Sequence, residues 1–298
     1  MNRSLTKCVI IIIAIFFNCF TCIWADNQIG DYEVHEWGVI VGCDTGANYF
    51  LTSRPMQVVS VREPVLYIHS KDKKPFSLKV TFANGVPTET YPVGEKSGKS
   101  ILWEKITFTD KTRRMRGKRE YQHSLAHVPL KNIINTLNDV DADEIYIDGV
   151  KSRFLFYEGE MPFANKIEYT YVPENREATV VNKANYSVFD VFVISSEFGK
   201  PSFRRNFLSA YIACLKPNEK IKVKLILLSE QPNFTQSLND LGFTDKEIKT
   251  FRSLWERPFL NYGKLVYRLP EEEINKMIKL EFVPRPKKIA RTLFVLIR

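Results

Sequence analysis

The stretch Phe76-Ser77-Leu78-Lys79-Val80-Thr81-Phe82 decides the fold class, because apolar and polar residues alternate along it without a fault. Alternation with a period of two is typical of a β-strand that has one face on a core and the other in water. Asn84 and Gly85 follow, and both tolerate the positive φ of a tight turn, so we expect a hairpin at this point.

Similar short runs recur along the rest of the chain. They lie at 65–69, 101–108, 154–157, 167–172, 178–181, 188–194, 221–228 and 289–297. Many short strands separated by turns predict a mainly β protein with an antiparallel β-sandwich architecture.

Two helices interrupt this pattern near the C-terminus. Thr244 and Glu247 have the spacing of a capping box, and the apolar residues that follow share one helical face, so we expect a helix over 244–257 that Pro258 ends. A second helix over 270–278 is indicated by Pro270 and the three acids behind it, which suit the positive end of a helix dipole.

The first 25 residues have the order of a signal peptide. Arg3 and Lys7 precede an apolar stretch, and Ala25 supplies the small residue that a signal peptidase needs. We therefore expect a secreted or periplasmic protein. A retained membrane anchor over 8–25 and a lipoprotein acylated at Cys22 are the alternatives.

Composition indicates a globular protein, with 44% hydrophobic and 26% charged residues among 298. The formal net charge of +9 favours binding to anionic surfaces.

The basic stretch 111–119 is the predicted boundary between a domain over 26–119 and one over 120–298. It is interpreted either as a solvated loop or as a patch for an anionic polymer or a membrane surface. We expect no nucleic-acid partner outside the cell.

Cys43 and Cys214 are the only cysteines behind the leader. An even pair in an oxidising compartment predicts a disulfide, and two buried free thiols are the alternative.

The segment Val34-His35-Glu36-Trp37-Gly38 is interpreted as a strand that continues to Val41. His35 and Trp37 then share one face with Val39 and Val41, and Glu36 lies on the other. A carboxylate among apolar neighbours has a raised pKa, which suits general acid chemistry, unless a cation or donor pairs with it. The alternative is a structural glutamate satisfied by an arginine or by backbone amides.

This segment resembles the mature N-terminus of a group of bacterial secreted proteins of unknown activity, which carry the motif His-Glu-Trp-Gly-Thr-Phe. The last two positions here are Val39-Ile40. Further blocks in the same order are similar to that family, at 63–67, 82–92, 154–159, 241–255 and 265–270. The resemblance implies a secreted, β-rich protein and carries over no reaction. Besides Val39-Ile40, Thr90 and Glu158 also depart from the family pattern.

Established catalytic motifs are absent from the sequence. The residue four beyond His35 is Val39, so the zinc-protease motif fails, and no phosphate loop, nucleophile elbow or dinucleotide fingerprint occurs. We expect no cofactor. A zinc site would need His35 with two of His69, His123 and His127, or with a carboxylate such as Glu36. The acids at 139–143 begin like a calcium loop and then lack its glycine.

Two functions remain open at this point. The first is a secreted binding or surface-associated module, favoured by the strand pattern and the basic loop. The second is a hydrolase-like enzyme that uses Glu36 with His35 in a cleft, with Glu89, Tyr91 and His123 as further catalytic candidates.

Overall fold

The computed structural model describes residues 29–42, 50–51, 57–109, 124–125, 128–198, 205–227, 235–262 and 264–298. It is mainly β, with 60% strand and 17% helix, as the sequence predicts. The leader, Cys43, the basic stretch 111–119, His123 and His127 lie outside the described residues, so the predictions about them stay predictions. Cys214 has a free thiol.

The strands are β1 Ile29–Val41, β2 Phe50–Leu51, β3 Gln57–Ser70, β4 Phe76–Phe82, β5 Val86–Tyr91, β6 Glu95–Ser97, β7 Ser100–Phe108, β8 Ser124–Leu125, β9 Val128–Pro129, β10 Ile145–Ile147, β11 Val150–Ser152, β12 Phe154–Phe163, β13 Ile167–Val172, β14 Glu177–Asn182, β15 Val188–Phe198, β16 Arg205–Leu215, β17 Lys220–Lys224, β18 Ile226–Leu227, β19 Leu265–Arg268, β20 Ile278–Val283 and β21 Arg285–Ile297. The helices are α1 Leu130–Asn138, α2 Thr235–Leu241, α3 Asp245–Tyr262 and α4 Glu271–Met277.

A nine-stranded sheet forms the centre of the fold, in the order β18-β16-β15-β19-β21-β1-β3-β12-β5. A six-stranded sheet follows the path β11-β10-β7-β4-β20, with β6 paired to β7, and a four-stranded sheet has the order β17-β14-β13-β2. β8 and β9 pair with each other.

The centre of the nine-stranded sheet is buried on both faces. On its inner face, residues such as Val34 and Leu66 share one apolar core with residues of the six- and four-stranded sheets, for example Val80 and Val180. This arrangement is the predicted sandwich. The outer face carries a second core, in which Trp37 packs with residues of α1 to α3. The sandwich therefore has a helical layer on its outer side.

β1 lies in the middle of the nine-stranded sheet between β3 and β21. Its pairing with β3 is antiparallel, whereas its pairing with β21 is parallel and aligns Glu36 with Arg291. The burial of both faces explains why the second half of β1, residues 34–41, is apolar apart from His35 and Glu36.

α3 begins as the sequence predicts and ends later than expected. The Thr244 amide donates to Glu247 Oε2 at 2.8 Å, which confirms the capping box. Pro258 was expected to end the helix, but it lies inside α3, which continues to Tyr262. A proline here forfeits one backbone hydrogen bond. Beyond this proline, Phe259 is buried against Phe294, and this burial stabilises the continued helix and offsets the lost hydrogen bond.

The expected hairpin at Asn84-Gly85 is wrong. β4 pairs with β7 and β20, whereas β5 crosses to the nine-stranded sheet and pairs with β12. A Cβ atom on Gly85 would lie 2.5 Å from the Glu160 carbonyl oxygen. Glycine is therefore required there by close approach to β12 rather than by a tight turn.

No helix within the described ranges is long and apolar enough to cross a membrane.

Candidate functional site

Three potential metal ligands meet on the outer face of the nine-stranded sheet, at the start of α3. His35 Nδ1 donates to Glu247 Oε2 at 2.9 Å, and His69 Nε2 donates to Glu247 Oε1 at 2.9 Å. The two imidazole rings lie 4.6 Å apart between centroids. Both carboxylate oxygens of Glu247 are thus held by histidine side chains. We call these three residues the His-Glu-His cluster.

Strand pairing and helix capping together position the His-Glu-His cluster. His35 pairs with Tyr67 across β1 and β3, so His69, two residues further along β3, lies on the same face as His35. Glu247 reaches this face because the capping box places its side chain back over the first turn of α3. Its Oε2 therefore accepts from both His35 and the Thr244 amide.

The cluster is buried, with one partly open side. Glu247 is wholly buried and His35 nearly so, with the Phe243 ring 5.5 Å from the His35 ring. The His69 side chain keeps 26% of its surface exposed. Solvent therefore reaches the cluster past His69.

The electrostatics of the cluster favour a charged carboxylate. Burial alone would raise the pKa of Glu247, but the hydrogen bonds from His35 and His69 lower it to about 2. Burial alone would lower the pKa of His69, but its hydrogen bond to Glu247 and the nearby charges of Asp141 and Asp143 raise it. The Glu247 carboxylate is therefore ionised between the two histidines.

The acidic residues 139–143 support this cluster and do not converge into a calcium loop of their own. Asp141 Oδ1 accepts from the Thr244 hydroxyl at 2.8 Å. Asp143 Oδ2 accepts from the Ser70 amide at 2.7 Å, and its other oxygen pairs with Lys73. The two carboxylates thus have separate partners.

Glu36 belongs to a different buried cluster, on the inner face of the same sheet. Its Oε2 accepts from Arg291 Nε, and its Oε1 accepts from the Tyr157 hydroxyl at 2.5 Å. Arg291 Nη1 also donates to Asn275 Oδ1 and to the Ile278 carbonyl. Burial alone would lower the pKa of Arg291, but the Glu36 charge raises it. This is the pairing that the structural interpretation of Glu36 requires.

A third cluster of buried charges lies where α3 covers the outer face of β3 and β12. Glu63 has a positive φ of 51° at an irregularity in β3 and is almost fully buried. Burial, followed by the Glu158 charge, raises the pKa of Glu63 to about 8. Glu158 is also buried and accepts from Arg62 Nη1 at 3.1 Å.

The four predicted catalytic residues that the structure describes, His35, Glu36, Glu89 and Tyr91, do not meet at one site. His35 and Glu36 point to opposite faces of β1, as the strand alternation predicts. Glu89 and Tyr91 lie in β5. Glu89 is opposite Glu158 of β12 in the strand register, and the Tyr91 ring stacks on the Phe154 ring with 5.3 Å between centroids. Burial raises the pKa of Tyr91.

A pocket of about 370 Å³ opens beside α3, and none of the catalytic candidates within the described residues lines it. Its lining consists of Phe207, Arg252, Ser253, Glu256, Arg257, Leu260 and Asn261.

Sequence reasoning missed the main partner of His35. Glu247 was assigned to helix capping alone, and His69 was named only as one of the remaining histidines. In the observed register, β1 and β3 pair Glu33 with His69 and His35 with Tyr67, so the two histidines share one face. Aligning the apolar faces of the two strands could have predicted this register. Nothing local in the sequence marks Arg291 or Tyr157 as partners of Glu36.

No family model and no curated protein matches the sequence. The chain is similar in structure to the mu-homology domain of zebrafish (Danio rerio) Fcho1 with bound Eps15 peptide, at 6% identity and a TM-score of 0.32, over 91% of this chain and 96% of that one. It is also similar to the yeast delta-COP-I mu-homology domain complexed with a Dsl1 WxWxV peptide, at 10% identity and a TM-score of 0.34, over 90% and 97%. Both scores are too low to indicate a shared fold.

Proposed function

We propose that this chain is an exported binding module that takes an extended segment of a partner protein along β5, the edge strand of the nine-stranded sheet. The observation that carries the proposal is an exposed apolar surface at this edge. Val86 in β5 is 52% exposed and Val58 in β3 is 65% exposed. Large apolar side chains left in water beside an open strand edge are typical of interaction sites.

Strand register supports a common face for these two valines. Val86 pairs with Glu160 in β12, and Val58 pairs with Pro162 in the same strand. Glu160 and Pro162 are two residues apart, so all four side chains point to one face of the sheet. We call Val58, Val86 and Pro162 the β5 apolar surface.

The backbone of β5 supports strand addition. β5 is the last strand of its sheet and pairs with β12 on one side. The Thr88 carbonyl accepts from the exposed Lys96 ammonium at 2.7 Å rather than from a strand. A partner strand can replace this lysine at little cost, because an exposed ammonium regains its hydrogen bonds from water. Hydrogen bonds between the backbones of β5 and the partner strand would then supply affinity. Contacts of the partner's side chains with the β5 apolar surface would supply specificity.

A hydrolase that uses Glu36 with His35 has less support. The two side chains are on opposite faces of β1, and Glu36 is wholly buried between Arg291 and Tyr157. Catalysis in one cleft requires both groups within hydrogen-bond reach of the same substrate.

Selection from a random peptide library tests the binding proposal. We expect enriched peptides to alternate apolar and polar residues, and Val86→Lys to weaken their binding at least tenfold, because it places a charge on the apolar contact. Val172→Lys is the matched control, since Val172 is a 42% exposed strand valine on the four-stranded sheet. Failure to enrich any peptide, or equal weakening by both variants, would contradict the proposal.

Export is part of the same proposal and rests on the leader. N-terminal sequencing of the protein recovered outside the cytoplasm should begin near Asp26. Intact Met1 in a membrane fraction would identify a retained anchor instead.

A further inference from the structure

We propose that His35, His69 and Glu247 bind a divalent transition-metal ion, for which Zn²⁺ is the best match. The ligand atoms of the three side chains all lie within 4.8 Å of one another. Two imidazole nitrogens and one carboxylate oxygen form a donor set that Zn²⁺ prefers, whereas Ca²⁺ and Mg²⁺ prefer oxygen ligands throughout. This inference is independent of the β5 edge.

The distances in the His-Glu-His cluster are close to those of a metal centre. Each histidine nitrogen lies 2.9 Å from a Glu247 oxygen. Donor atoms around a tetrahedral Zn²⁺ ion are about 3.3 Å apart, because each lies about 2.0 to 2.1 Å from the metal. The two nitrogen-to-oxygen distances are about 0.4 Å shorter than this, and the ligand atoms lie within 4.8 Å of one another, so the three side chains would rearrange around the ion. The ion would displace the proton from each ligating nitrogen, and this proton would move to the other ring nitrogen of a neutral histidine or to solvent from a protonated one.

The three ligands are held by rigid elements. His35 and His69 lie on paired strands in the buried centre of the nine-stranded sheet. Glu247 is oriented by the Thr244 amide, which donates to Oε2. Hydrogen bonds of this kind fix the orientation of metal-binding carboxylates and strengthen their affinity. The cluster is thus preorganised before an ion arrives.

The surroundings provide an entry path for a cation. Glu247 and His35 are buried, and among the described residues of the cluster the partly exposed His69 offers an ion its path to them. Asp141 and Asp143 lie close enough to His69 to act on its charge, and Lys73 offsets the charge of Asp143, so Asp141 supplies the negative charge at this approach. Because the protein supplies three ligands, the fourth coordination position of the ion would be filled by water or by an external ligand on the His69 side.

A purely structural role is the competing interpretation. In that case the two histidines only anchor the first turn of α3 to the sheet, and the same three atoms never bind a metal. The two interpretations differ in the response of the protein to Zn²⁺ after treatment with a chelator.

The experiment titrates the chelator-treated full chain with Zn²⁺ in competition with a chromophoric chelator, and with Co²⁺ as a spectroscopic substitute. We expect one ion per chain, a rise in melting temperature with Zn²⁺, and the visible absorption of tetrahedral Co²⁺. His69→Gln should weaken binding by about 100-fold or more, because it removes a ligand and keeps a similar volume. Since the His69 side chain is partly exposed, we expect this variant to fold, which circular dichroism checks.

Glu95→Gln is the control, because it removes one exposed potential metal ligand and Glu95 is not part of the cluster. It should leave metal binding unchanged. The proposal is overturned if the wild-type chain binds no ion with micromolar or tighter affinity. It is equally overturned if His69→Gln binds Zn²⁺ as well as the wild type and the Glu95→Gln control do. If His69→Gln is unfolded, His69→Cys decides, because a thiolate can also bind Zn²⁺ and should restore Zn²⁺-dependent stabilisation.

Discussion

The Arg291 guanidinium donates through Nε to Glu36 Oε2 across the parallel pair of β1 and β21, and both side chains are buried. The two residues are 255 positions apart and directly opposite in register. β1 and β21 are the first and last described strands in chain order, and they are neighbours inside the nine-stranded sheet. The pair therefore joins the two ends of the described chain within this sheet. Tyr157 from β12 completes the interaction from the other side.

Glu36→Gln should destabilise the fold by about 3 to 5 kcal/mol, because it leaves the buried Arg291 charge without its carboxylate. Urea unfolding followed by fluorescence measures this loss. Glu281→Gln is the control, since Glu281 is partly exposed in β20 and pairs with Lys279 at the surface. A surface pair of this kind contributes at most about 1 kcal/mol. A Glu36→Gln variant as stable as wild type would show that the pair is not structural.

Trp37→Ala should cost about 3 to 5 kcal/mol of folding free energy, because it opens a cavity in the outer core. Trp37 is almost fully buried and meets the Phe251 ring edge to face at 5.2 Å. The same loss should appear as a lower melting temperature in calorimetry. Trp37→Phe keeps most of the volume and should lose clearly less, so equal losses for the two variants would argue against a packing role.

The strands and their faces could be predicted from the sequence because alternation is a local signal. The division of β1 into a His35 face and a Glu36 face followed from the period of two alone, and it is confirmed. The capping box at Thr244 is equally local and is confirmed as well. In each case the information lies within about eight residues.

The partners of these residues could not be predicted, because they depend on long-range pairing. Glu36 meets Arg291 only because β21 runs parallel to β1, and no local pattern specifies this pairing. His35 meets Glu247 only because α3 folds back over β1 and β3. The expected end of α3 at Pro258 failed for the same reason, since burial of Phe259 outweighs the local cost of the proline.

Gly38→Ala should destabilise the protein by about 1 to 3 kcal/mol through overpacking. A Cβ atom on Gly38 would lie 2.9 Å from Pro64 Cα and 2.9 Å from the Leu293 side chain, and the backbone atom has little room to move. Chemical denaturation measures the loss. Gly98→Ala is the comparison: nothing lies within 4 Å of its added Cβ, and its φ of 56° costs only about 1 to 2 kcal/mol of backbone strain. A neutral Gly38→Ala would mean that β1 and β3 can separate at this position.

Glu63→Gln should make the stability of the protein less dependent on pH. Burial and the Glu158 charge raise the pKa of Glu63 from 4.5 to about 8 in the folded protein. The unfolded chain therefore releases this proton at lower pH than the folded protein does, and stability falls as the pH rises from about 4.5 to about 8. The fall should amount to roughly 3 to 5 kcal/mol, since each unit of pKa difference corresponds to about 1.4 kcal/mol.

Glutamine keeps the shape of Glu63 and cannot ionise, so the variant should match the wild type near pH 4 and be more stable near pH 8. Urea unfolding at a series of pH values measures both curves. Glu160→Gln is the control, because Glu160 is an exposed glutamate in the neighbouring strand β12 and should leave the pH dependence unchanged. If Glu63→Gln is less stable than wild type at pH 8, the Glu63 carboxylate is ionised and paired in the folded state, and the raised pKa of Glu63 is wrong.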